Sequence, residues 1–437
     1  MRRWLVTGLV GVGLFAAACG SDDTGADGNG TAGSGGAQSS GSGGSETASS
    51  GGADASGGAA AGEGGSGGDA GAQTSDGGTD SSGGASAGAA GTGGEGGAVA
   101  GSGGAATGSG GSQPGTGICG AQEGQLFGSD HPWNQRVDQA DLDAESDTII
   151  SYLQSNHTAS ARFRIDGPSD IPDNEYGIVI LTADASTQHE AFNTTGDFYS
   201  PDCDPAPIPI PAVGAIEGES GYSCDNDGDC HLIVIDTANC RLHEMWRANR
   251  VSADDFDGGC QAVWDLTAAY TPTLRGDCCT SADAAGLPIA AHMVTADEIA
   301  AGRIEHAIRF ILPNSLMREL IYVRPATHST GATSGPAEAP PYGARMRLRA
   351  DFDASGLNAA AQVVATALQE YGMILSDGGN ITFTFANDRF TTAKWTDVGL
   401  MPGDLTSLEW SDFEVVELGT RYTWDNSCDC NRTPVTD

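Results

Sequence analysis

His231-Leu-Ile-Val-Ile-Asp236, Thr237-Ala-Asn239 and Cys240-Arg-Leu-His-Glu-Met-Trp246 form the stretch on which the fold turns. Leu232 to Ile235 are apolar and mostly β-branched, which suits a strand. Thr237, Ala238 and Asn239 read as a hairpin turn, and residues 240–248 as the returning strand. Alternation on that strand places Leu242, Glu244 and Trp246 on one face, with Arg241, His243 and Met245 on the other. Working outward, residues 178–182, 306–312, 320–324, 345–350 and 381–385 have the same short, β-rich character between turn formers. Leu357 to Tyr371 has apolar residues at helical spacing and ends at Gly372. Residues 142–153 and 296–301 are shorter helix candidates. Many short strands with one or two helices predict a mainly β, antiparallel sandwich or jelly-roll domain. The proline-rich stretch 205–211 and the loop 329–341 read as surface crossings within it.

The rest of the chain says where this domain resides. Arg2 and Arg3 precede an apolar segment, Trp4 to Phe15, and then Ala16, Ala17, Ala18 and Cys19. That order reads as a lipoprotein signal over residues 1–18, with Cys19 as the lipidated residue. Residues 19–117 read as a disordered Gly/Ser/Ala tether. Positions 20–117 carry 38 of the 66 glycines and ten acidic residues, with no Lys or Arg. A coil of this length reaches roughly 50–60 Å. Residues 118–437 remain for one folded domain, and the expectation is an exported protein held at the bacterial envelope through its acylated N-terminus.

The formal charge of −38 argues against a general nucleic-acid role, because phosphate binding needs a basic surface. No phosphate loop, dinucleotide fingerprint or Gly-x-Ser-x-Gly elbow occurs, so nucleotide partners and serine hydrolysis are disfavoured. Besides Cys19 there are ten cysteines, an even number that in an exported chain reads as up to five disulfides. Cys119 and the pair Cys428/Cys430 bracket the domain, which suggests a bond joining its two ends.

Several motifs resemble a family of exported bacterial lipoproteins with no assigned activity. They are His131-Pro-Trp-Asn-Gln135, the 231–246 stretch, Thr280-Ser-Ala-Asp-Ala-Ala-Gly-Leu-Pro288, Ile304-Glu-His-Ala-Ile-Arg-Phe310, Arg324-Pro-Ala-Thr-His328 and Glu370-Tyr-Gly-Met-Ile-Leu-Ser-Asp-Gly-Gly379. The resemblance spans roughly 126–418. It implies one domain and carries no chemistry.

Chemistry must therefore come from polar residues standing in apolar surroundings. Glu244 among core-type neighbours would have a raised pKa, as a general acid needs. Asp377 is a second carboxylate candidate, and His231, His306 and His328 are acid–base candidates. Trp246 could stack on a sugar ring. Arg345 and Arg347 share one strand face with Arg349, and with Arg324 they could clamp the carboxylates of an anionic glycan. Equally, these arginines could neutralise nearby carboxylates. Asp225, Asp227 and Asp229 alternate around a glycine as Ca²⁺ ligands can, although the spacing departs from an EF-hand. Two functions follow as expectations: a carbohydrate-active hydrolase or lyase, or a lectin-like binding or structural module of the envelope.

Overall fold

The computed structural model describes residues 117–158, 162–168, 177–226, 228–425 and 427–437, which fall in one compact unit. The signal segment, Cys19, nearly all of the tether and Asp227 lie outside these residues.

The hairpin forms as read. Leu232–Asp236 pairs antiparallel with Arg241–Met245, Leu232 opposite Met245 and Asp236 opposite Arg241. Asp236 closes the turn, its carboxylate accepting from the amides of Ala238 and Asn239 and from the Asn239 side chain. Two strands flank the hairpin, giving the order Gln261–Asp265, Arg241–Met245, Leu232–Asp236, Ile180–Ala183. Both faces of this sheet are covered. Ile233, Ile235, Leu242 and Trp246 join the main core, while Leu232, Val234 and Met245 pack in a second cluster with Ile208, Ile216 and Phe256. A strand buried on both faces reads as a continuous apolar run, as Leu232–Ile235 does. The proline-rich stretch 205–211 helps to form that second cluster: Ile208 and Ile210 are buried, and Ile208–Pro209 is a short strand. It is not the surface crossing expected.

The larger sheet has six strands, ordered Ile165–Asp166, Phe383–Thr384, Ile308–Leu312, Met373–Gly378, Arg345–Leu348 and Phe413–Val415. Three small sheets complete a mainly β molecule with four α-helices among the described residues. The strands are not all antiparallel. Ile308–Leu312 lies parallel to Met373–Gly378, Ile180–Ala183 to Leu232–Asp236, and Ile165–Asp166 to Phe383–Thr384. Parallel neighbours need long crossovers, which the period-2 pattern of a strand does not encode.

Helix Ala359–Glu370 starts where the Asn358 side chain accepts from the Ala361 amide, and buries Ala361, Val364, Ala365 and Leu368. Its end requires Gly372, which has φ +70° and donates its amide to the Ala367 carbonyl. A side chain there would also meet the Met346 carbonyl. Helix Ala296–Ala301 carries a capping box between Thr295 and Glu298.

All ten described cysteines are in disulfides: Cys119–Cys240, Cys203–Cys260, Cys224–Cys230, Cys278–Cys428 and Cys279–Cys430. The expected bond between the two ends does not form. Cys119 is fastened to the hairpin turn, and Cys428 and Cys430 are fastened to the adjacent Cys278 and Cys279. Five disulfides point to an oxidising compartment outside the cytoplasm. No described helix is long and apolar enough to cross a membrane.

Candidate functional site

Four of the five expected catalytic residues gather around one buried loop, residues 279–292. Every position from 281 to 292 is buried, so its backbone polar groups need protein partners. Glu244 is fully buried and accepts from the Ala290 amide through Oε1 (2.8 Å) and from Trp264 Nε1 through Oε2 (3.0 Å). Burial pushes its pKa up to about 7, against the lowering effect of those donors. His328 Nδ1 donates to the Ala284 carbonyl (2.8 Å), and burial pulls its pKa down to about 4. His231 Nε2 faces the Ala282 carbonyl (3.3 Å), and its Nδ1 lies 2.5 Å from Glu217 Oε2. Burial alone would depress the His231 pKa. The Glu217 charge and hydrogen bond outweigh this and hold it at about 9, so the ring is an imidazolium donating from both nitrogens.

Asp377 belongs to the same surroundings. Arg309 Nη2 reaches Asp283 Oδ1 (2.8 Å) and Asp377 Oδ2 (3.0 Å), while Nη1 donates to Thr384 Oγ1 (2.7 Å). Burial raises both aspartates, Asp377 well above the ordinary range, and the two carboxyls interact directly. Asp166, on the edge strand and paired with Thr384, is raised to about 6 by burial and by Glu217. Of the two desolvated carboxyls around the guanidinium, Asp283 raises Asp377 further, while the Arg309 charge lowers both. Asp283 has no solvent exposure and Arg309 has 3%, so no polymer can reach this pair. The network fixes the loop to the six-stranded sheet.

The proposed general acid is therefore corrected. Glu244 lies on the core-facing side of its strand, as alternation indicated, but what covers that side is the loop, not a substrate cleft. Trp246 is also unavailable for stacking on a sugar. It is 6% exposed, donates to Asp229 Oδ1 (3.1 Å) and carries the Arg247 guanidinium against its ring.

The arginines do not form an anionic-ligand groove. Arg345 donates to the carbonyls of Tyr371 (2.8 Å), Pro132 (2.6 Å) and Gln135 (2.7 Å), and burial pulls its pKa down to about 9. Arg347 bonds Glu414 (2.7 Å) and the carbonyls of Val137 and Ala140. Their shared strand face is covered by residues 132–140, and both guanidiniums serve to bind that segment. Arg324 lies elsewhere, paired with Asp277 (3.0 Å) and placed over the Tyr422 ring at 4.4 Å.

At the calcium candidate, the amides of Asp225 and Asn226 donate to Glu219 Oε1 (2.6 and 2.8 Å), while Asp229 faces Trp246. The two groups of three metal-type side chains among the described residues each include two disulfide-bonded cysteines, which offer no thiolate.

Of the catalytic set, His328 is partly exposed, and His306, although buried, lines a cavity. This cleft of about 440 Å³ lies between helix Ala296–Ala301 and the edge of the four-stranded sheet. Ile180, Thr182 and Ile235 contribute the sheet side, and Ala290, Ala291 and Met293 the far end of the buried loop. Such a volume, mostly apolar with a few polar groups, suits a small ligand. His306 Nε2 lies 3.0 Å from Glu298 Oε1, and Nδ1 is 2.9 Å from the Ala307 carbonyl. Burial opposes protonation, but the Glu298 charge and hydrogen bond raise the pKa overall. Both ring nitrogens are engaged by acceptors, a backbone carbonyl and a carboxylate, so neither is turned toward the cleft as a general base.

Residue reasoning missed Asp283, Glu217, Glu298 and Gln125. Glu298 had a signal, the Thr-x-x-Glu pattern at 295–298 that marks a capping box. Asp283 stood inside the Thr280–Pro288 motif with nothing local to distinguish it. Against family models, curated proteins and solved structures, the chain matches none.

Proposed function

We propose that the chain is an exported binding module of the bacterial envelope, lipidated at Cys19 and carried on its Gly/Ser/Ala tether, with the 440 Å³ cleft as its ligand site. One observation carries this reading. The cleft is the open, mostly apolar cavity lined by a candidate residue, and that residue, His306, has both nitrogens committed. The remaining catalytic candidates are bound up in holding the loop that forms part of the cleft wall. On this reading their role is preorganisation: a buried polar network keeps Ala290, Ala291 and Met293 in place for a ligand. The alternative of polysaccharide hydrolysis or cleavage loses its general acid, its stacking ring and its arginine clamp.

Ala301 is exposed on the cleft rim, so Ala301→Trp should fill the mouth without disturbing the core. In a fragment screen by ligand-observed NMR, the native chain should give hits that this variant loses. The same protein should release neither reducing ends nor unsaturated uronates from a polysaccharide panel. Release that Asp377→Asn abolishes would sink the binding reading and restore the enzyme.

A further inference from the structure

We infer that the cleft selects an amphipathic ammonium compound, an apolar body bearing a protonated amine; this rests on the reading of the cleft as a ligand site. Two independent features point there. The first is charge. Glu123, Asp297, Glu298 and Glu305 line the cleft against Arg303 and His306, so negative charge prevails even with the imidazole protonated. Arg303 is itself taken up by Glu123 (3.0 Å) and Glu305 (3.7 Å). An anionic ligand would meet no free cation among these residues.

The second is an unpaired acceptor. Gln125 lines the cleft and is 7% exposed. Its Nε2 donates to the Glu305 carbonyl at 2.8 Å, which fixes the amide orientation, because a flipped amide would set oxygen against oxygen. Its Oε1 is buried with no hydrogen-bond partner. A buried carbonyl oxygen left unpaired is costly, and a ligand N–H would satisfy it. The same hydrogen bond ties Gln125 to the residue bearing the Glu305 carboxylate, which is partly exposed. An ammonium with several protons can serve an amide oxygen and a carboxylate together, whereas an alcohol has one proton and a carboxylate has none. The body of such a ligand would lie on Ile180, Ile235 and Met293, with the exposed Phe390 ring at the rim.

The test is a calorimetric titration of the full chain at pH 7 with three probes of one length: hexylammonium chloride, 1-hexanol and sodium hexanoate. Hexylammonium should bind about tenfold or more tightly than hexanol, with hexanoate weakest, and its affinity should fall several-fold in about 0.5 M salt. Glu305→Gln, at a partly exposed position that should fold normally, should weaken hexylammonium about three- to tenfold and leave hexanol unchanged, and Gln125→Leu should weaken hexylammonium by a similar factor and hexanol less. Equal binding of all three probes, or hexylammonium binding indifferent to both substitutions, overturns the charge selection while the cleft remains a binding site. If no probe binds, or if Ala301→Trp leaves binding intact, the reading of the cleft falls and the inference falls with it.

Discussion

Two histidine–glutamate pairs among the described residues make an instructive comparison. His231–Glu217 and His306–Glu298 share one chemistry: a buried ring, a carboxylate within 3.0 Å, a backbone carbonyl at the other nitrogen and a raised pKa. They differ in what surrounds them. Around His231 lie the Ala282 carbonyl and the Asp283–Arg309–Asp377 network, so its charge is spent on holding a loop. Around His306 lies a cleft. Ionisation state alone does not mark a functional site; the decisive property is whether anything can approach. The two regions are also joined, since the loop fastened by the first forms part of the wall of the second.

The largest expected effect breaks the comparison on the network side. Arg309→Met leaves Asp283 and Asp377 buried without a cation and should cost about 3–5 kcal/mol in urea unfolding. Adding Asp283→Asn and Asp377→Asn should recover much of that, because the uncompensated charge goes too. A single substitution as mild as a surface change would show that the network is not a structural fastening.

Separating the tail from the loop comes next. Replacing Cys278, Cys279, Cys428 and Cys430 together by Ser removes both adjacent bonds, spanning 150 and 151 residues, since either one alone keeps the loop closed, and about 2–5 kcal/mol should be lost. Unfolding midpoints of oxidised native and variant chains measure it directly.

Stability should also fall as pH rises above about 7. The His231 pKa is raised from 6.5 to about 9, so its contribution is complete below pH 6.5 and lost as pH rises through 9. Glu244 is raised from 4.5 to about 7, so its share is complete below pH 4.5 and lost by about pH 7. Each amounts to roughly 3 kcal/mol. Below pH 6.5 the neutral rings of His157, His243, His292 and His328, whose pKa values burial pulls down to about 4 or, for His292, about 3, act in the opposite direction and outweigh Glu244. The thermal midpoint should therefore rise from pH 5 to about 6.5 and decline between pH 7 and pH 9.5. Glu244→Gln should steepen the rise and leave the decline. A midpoint rising between pH 7 and pH 9.5 would contradict the His231 assignment.

The smallest effect sharpens the comparison from the cleft side. Glu305→Gln should change stability by less than about 0.5 kcal/mol, although it weakens amine binding. A large loss of stability would mean that the cleft wall is as structural as the network.

Part of this was legible in sequence. The hairpin, the helix ending at Gly372 and the helix over 296–301 follow from local patterns, because propensity, capping and turn chemistry act within a few residues. Alternation correctly placed Glu244 on the core-facing side, and Arg345 and Arg347 on one face. What it could not say is which segment covers each face. The loop 279–292 lies over Glu244, and residues 132–140 lie over the two arginines. Each comes from a distant part of the chain.

The sequence by itself determined a mainly β fold, an even set of disulfide cysteines besides Cys19, and a strongly acidic charge. These depend on composition and short-range pattern. Only the tertiary structure decided the disulfide partners, the parallel strand pairs and the roles of Glu244, His231, His328, Asp377 and the arginines. It also decided that His306, with Gln125 and Glu298, borders open space. The physical reason is that burial and hydrogen-bond partnership are long-range: a carboxylate becomes scaffold or site according to what packs against it, and residues far away in the chain supply that.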